Sequence, residues 1–260
     1  MRIAARWWVL VFAWTAGLAM RGADPQELVL LPLYLQDAVA GANGSRWTTE
    51  LVMHNGNGEN VFFGPCNVPS ETPCPPLVFV MTPGETLRNP VVGFTSAGRY
   101  GRLLHVPHDL AANIAFNLRV FDAASTRDAG TEIPVARSGD FVASRLQLLN
   151  VPTAPAGRVL LRLYDPDDRG AAARVAIRVY SLAGALLQSD EASFSPSGYG
   201  AHEGLRFAPS FIEAPLEIPA AAGNQPVRVE IEPLTDRLRI WGFVTVTNDV
   251  TQHVTVISPM

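Results

Sequence analysis

A small number of side-chain groups carry the residue types from which a site could be built. His105-Val106-Pro107-His108-Asp109 gathers two imidazoles and a carboxylate, a donor set for a divalent metal, so His105 and His108 are candidate ligands. Pro107 opposes that reading, because it favours an extended turn in which the two rings need not converge. Asp165, Asp167 and Asp168 crowd one short segment whose oxygens could take calcium. The EF-hand spacing and its distal glutamate are missing there, and aspartates equally start turns by bonding their own backbone. Ser193 to Gly200, followed by His202 and Glu203, supplies hydroxyl, imidazole and carboxylate, but without the G-x-S-x-G elbow that would expose a nucleophile. Glu230 and Glu232 offer paired carboxylates for glycoside cleavage. Two residues apart, they also read as the solvated side of a strand whose Val229 and Ile231 pack inward. No catalytic residue is assigned, and no metal or cofactor is expected.

The elements that would position these groups are strands. All 20 Lys+Arg positions in the 260 residues are arginine, so lysine-dependent Schiff-base chemistry and the P-loop are excluded. The chain is 48% hydrophobic and 17% charged, with 21 Gly and 21 Pro, which gives enough apolar material for a core but breaks it with turns. Alternation with period two runs through Val159 to Tyr164 and Arg174 to Tyr180, and recurs at Trp47 to His54, Asn113 to Asp122, Val227 to Glu232 and Arg237 to Thr247. Turn signals such as Asn55-Gly56-Asn57-Gly58, Pro83-Gly84 and Asp165 to Gly170 separate these runs. The expectation is an all-β protein of sandwich architecture.

The first residues read as an export leader. Arg2 and Arg6 precede an apolar stretch, Trp7 to Ala19, too short for an ordinary membrane helix, and small residues follow it. Residues 1–23 are therefore expected to be a secretory signal peptide and short leader, with the mature protein secreted or periplasmic. A cut after Ala19 leaves 18 arginines against 24 acids, a net charge of −6. With no later membrane span and no arginine stripe, nucleic acid is not an expected partner. Export also makes a disulfide between Cys66 and Cys74 the expectation, a local staple stabilising by roughly 2.5 kcal/mol in the chain-entropy model.

An internal echo points to duplication. Ile114 to Val120 resembles Ile240 to Val246 at an offset of 126, and Glu50 to Asn55 resembles Arg145 to Asn150 at an offset of 95. Two tandem sandwiches of unequal size are expected, residues 24–132 and 133–260.

Gly41-Ala42-Asn43-Gly44-Ser45-Arg46-Trp47-Thr48-Thr49-Glu50-Leu51, with His54-Asn55, resembles the N-terminal signature of a broad group of exported, mostly uncharacterised bacterial proteins with immunoglobulin-like sandwich domains. Trp241 to Thr255 resembles the closing strands of the same group. The resemblance implies an immunoglobulin-like β-sandwich and a role in surface display or structural spacing. It transfers no catalytic residue.

Trp241 and Phe243 fall on the face opposite Leu238, Ile240, Val244 and Val246. That pair is either an interaction face or packing between the two halves. The function expected is a non-enzymatic structural or protein-interaction module at the cell exterior or periplasm, its partner a cell-surface or secreted protein. The alternative is an extracellular carbohydrate-binding or hydrolytic protein.

Overall fold

The computed structural model describes residues 26–63, 79–90, 98–125, 129–153, 157–198, 201–202 and 205–260. The segment expected to be a leader, and Cys66 and Cys74, lie outside the described residues. The strands of the first half are β1 Gln26–Leu31, β2 Val39–Ala40, β3 Arg46–Asn55, β4 Val61–Phe63, β5 Phe79–Met81, β6 Thr86–Arg88, β7 Arg102–Pro107, β8 Ile114–Asp122, β9 Thr131–Ile133 and β10 Ala136–Arg137. One short helix, α1 His108–Ala111, follows β7. The second half adds β11 Leu146–Val151, β12 Gly157–Asp165, β13 Arg174–Tyr180, β14 Leu186–Ser193, β15 Ala201–His202, β16 Leu205–Arg206, β17 Ser210–Pro215, β18 Val227–Pro233, β19 Trp241–Asn248 and β20 Val254–Ile257. The chain is an all-β sandwich protein, as its alternation predicts.

The second half stacks two four-stranded antiparallel sheets, β11-β18-β13-β14 on β17-β12-β19-β20. Leu148, Val175, Val179, Val229 and Ile231 from the first meet Leu161, Leu163, Ile212 and Val244 from the second in one buried cluster. Ile177, buried in the same cluster, has Arg174 and Arg178 on its more exposed flanks, the register read from the sequence. The pairs β11–β18, β12–β17 and β13–β14 nest inside one another, and β13–β18 and β12–β19 join them into the two sheets.

The first half repeats that pairing. β1–β7 stands for β11–β18, β3–β8 for β12–β19, β3–β6 for β12–β17, β8–β9 for β19–β20, and β4–β5 for β13–β14. The register agrees as well. Moving β3 by 110 residues and β8 by 126 carries His54 opposite Ala115 onto Tyr164 opposite Trp241, and Trp47 opposite Asp122 onto Gly157 opposite Asn248. Even the strand ends match. Asn55 and Asp165, both fully buried, each accept with Oδ1 the backbone N–H two residues on, at 2.9 and 3.0 Å. Asp122 and Asn248 do the same for Ala124 and Val250, both at 2.9 Å. A short polar side chain closing its own turn is the chemistry both copies use to stop a long strand.

The match of Glu50 to Asn55 with Arg145 to Asn150 is thereby corrected, since the counterpart of β3 is β12. The change of core also falls later than residue 132: Ile133, Ala136 and Phe141 belong to the first cluster and Leu146 to the second. The reason is that β9 and β10 pair with β8 and β1.

The halves share a core. Tyr164, Trp241 and Phe243, from the second half, are buried in the first half's cluster with Leu30, Leu31 and Leu33. Their rings form a triangle with centroids 5.6, 6.2 and 6.4 Å apart. The Tyr164 hydroxyl donates to the Pro32 carbonyl at 2.5 Å, which satisfies its buried oxygen. Between Trp241 and Phe243 sits Gly242, where a Cβ would fall 2.3 Å from the Arg162 carbonyl oxygen, so only glycine lets β19 approach β12 this closely.

Candidate functional site

The metal-type candidates are placed apart. His105 is buried in β7, and its Nε2–H donates to the Arg206 carbonyl at 2.7 Å. Burial pushes its imidazole below the usual value, with the carbonyl bond partly opposing. His108 opens α1, is exposed, and reaches the Glu27 carboxylate at 3.3 Å. The turn at Pro107 thus sends the two rings to different partners.

The acidic turn after β12 is also accounted for residue by residue. Asp165 accepts the Arg169 N–H at 2.8 Å and the Ser210 hydroxyl at 2.9 Å on Oδ2, besides the Asp167 N–H on Oδ1. Burial raises its carboxyl above the ordinary value despite those three donors. Asp167 pairs with Arg169 at 3.0 Å and Arg239 at 3.5 Å. Asp168, in left-handed backbone, accepts both the N–H and the hydroxyl of Ser197 and meets Arg206 at 3.5 Å. Each carboxylate thus ties the turn to a different neighbour. Among the described residues no group of three or more His, Cys, Asp or Glu side chains is placed to hold a metal ion.

Ser195 exchanges two backbone hydrogen bonds with Phe211, and Glu203 lies outside the described residues. Glu230 is on the outer face of β18 as its spacing implies, yet it is buried beneath Arg145 and Arg228, at 3.2 and 3.3 Å. Glu232 pairs with Arg178, which holds its carboxyl below the ordinary range.

Trp241 and Phe243 do lie on the face opposite Val244, as the alternation predicts, but they are 5% and 0% exposed. They are seam packing and present no surface to a partner. The residues that sequence reasoning missed continue along that same sheet face. Past Phe243, its filling turns polar: the Arg162 guanidinium lies 5.9 Å over the Phe243 ring, bonds Glu213 through Nε at 3.1 Å and donates to the Thr245 hydroxyl at 3.0 Å. Here the halves diverge and leave a cleft of about 340 Å³, walled on the other side by Leu33, Leu35, Trp47 and Ile133. Arg162 and Glu213 carried no distinguishing signal, because a charged residue on the outer face of a strand reads as solvated whether or not a second body covers it.

Among the described residues no helix is long and apolar enough to cross a membrane. The chain matches no protein-family model, no curated protein and no solved structure.

Proposed function

We propose that this chain is an exported, non-enzymatic module built from two copies of one sandwich and used for structural spacing or protein contact at the cell exterior or periplasm. One observation carries the reading. The side chains best suited to chemistry spend their polar atoms on the fold itself: His105 on the Arg206 carbonyl, Asp165 on three donors, Asp168 on Ser197. A catalytic acid, base or nucleophile must instead keep an activated atom aimed at substrate. The seam supports the same reading, because aromatic packing between the halves resists the relative motion that a hinged, closing site uses.

With Trp241 and Phe243 buried, a protein partner would be met at an unpaired strand edge. The outer edge of β14 presents eight residues, Leu186–Ser193, whose main-chain donors and acceptors are a general recognition device. The test is a hydrolase screen of the purified mature chain over ester, peptide and glycoside substrates, run beside His105→Ala and Ser195→Ala. The expected result is no turnover above buffer. Turnover that disappears in either variant overturns the reading. Intact mass of the exported protein, showing loss of the leader and two hydrogens fewer than the reduced chain, tests export and the Cys66–Cys74 bond together.

A further inference from the structure

The cleft between the copies is half apolar and half cationic, and its charges do not cancel. Glu213 is shared by two guanidiniums, Arg99 on Oε1 at 2.8 Å and Arg162 on Oε2 at 3.1 Å. Arg162 and Glu213 are each largely covered, at 13% and 14% side-chain exposure, so their charges are screened less than surface ones. A third arginine at the rim, Arg158, is neutralised by Asp249 at 2.7 Å. One positive charge is therefore left over beside an apolar wall. Arg162 uses Nε for Glu213 and Nη1 for Thr245, and Nη2 has no hydrogen-bond partner among the described residues.

We infer that this cleft binds a small amphipathic monocarboxylate, its head on Arg99 and Arg162 and its tail against Leu33, Leu35 and Trp47. A guanidinium offers a carboxylate two parallel donors, which favours this head group over a neutral one of equal size. The volume of about 340 Å³ is near the lower end for ligand sites. A cleft of that size suits a short-chain acid such as octanoate, of about ten non-hydrogen atoms. The lining explains the selectivity: an alcohol leaves the surplus charge unanswered, and an amine opposes it.

Titration calorimetry of the mature chain with sodium octanoate, 1-octanol and octylamine, at neutral pH and low salt, tests the assignment. Octanoate should bind saturably at one site, with the alcohol and the amine at least tenfold weaker. Arg99→Gln removes the surplus charge at a half-exposed position, and Val39→Glu places an acid at the exposed mouth of the same cleft. Both should keep the wild-type unfolding midpoint and weaken octanoate at least tenfold. Octanol binding as tightly as octanoate, unchanged affinity in Arg99→Gln, or no saturable heat with octanoate overturns the inference.

Discussion

Asp165 is the residue at which the duplicated architecture makes its sharpest energetic prediction, because the first copy performs the same task with Asn55. Asp165→Ala removes the acceptor for the N–H groups of Asp167 and Arg169 and for the buried Ser210 hydroxyl. Three unpaired donors, each costing about 1 kcal/mol or more, less the relief of a desolvated charge, predict a loss of about 2 to 4 kcal/mol. Asp165→Asn keeps an Oδ1 for Asp167, as Asn55 does for Asn57, and its amide can donate to Ser210. Only the Arg169 N–H goes unanswered, so the loss should stay within about 1 kcal/mol. The pH dependence follows from burial, which raises the Asp165 carboxyl in the fold. A raised folded value means that this group's stabilisation is complete below its unfolded value of about 3.9 and is lost as pH rises through the folded value. The wild-type advantage over Asp165→Asn should therefore grow as pH falls from 7 into the carboxylate range. Taking the difference also cancels His105, whose depressed value acts oppositely, costing stability as pH falls below about 6.5 in both proteins. Urea unfolding at several pH values reads all of this. An Asn variant as damaged as the Ala variant, or a difference that does not change with pH, would refute the reasoning.

Ile177→Ala should cost about 2 to 4 kcal/mol in chemical denaturation, since Ile177 packs between the sheets of the second half, whereas exposed Arg174→Ala should leave the midpoint nearly unchanged. Gly242→Ala should cost about 1 to 3 kcal/mol or more, because the added methyl meets the backbone oxygen of Arg162 and the Leu163 side chain with no space to yield into; an unshifted midpoint would mean β12 and β19 are further apart than described.

Much of this fold could be read from period-two alternation, and what escaped did so for one physical reason. Alternation specifies which residues share a face but not what covers that face. The Val175, Ile177, Val179 set was legible because one buried side is all its pattern requires. The offset of 126 between β8 and β19 was legible too, since both are long strands with buried Ile114 and Leu118 matched by buried Ile240 and Val244. The β3 counterpart was misassigned to Arg145–Asn150 because any two strands agree in period, and only pairing distinguishes β11 from β12. Trp241 and Phe243 were separated correctly from Val244, yet their burial depends on a second body that local sequence does not encode. The same limit hid Arg162 and Glu213.

The central claim is that two copies of one sandwich form a single body joined through Tyr164, Trp241 and Phe243, and native-state hydrogen exchange tests it most directly. Trp241→Ala removes the ring that meets both Tyr164 and Phe243, at a cost of about 3 to 5 kcal/mol. If the halves are one cooperative unit, the slowest-exchanging amides of β3 in the first half and of β13 in the second should open with the same free energy, and the substitution should lower both by the same amount. Protection lost in only one of those strands, with the other unchanged, would contradict the account.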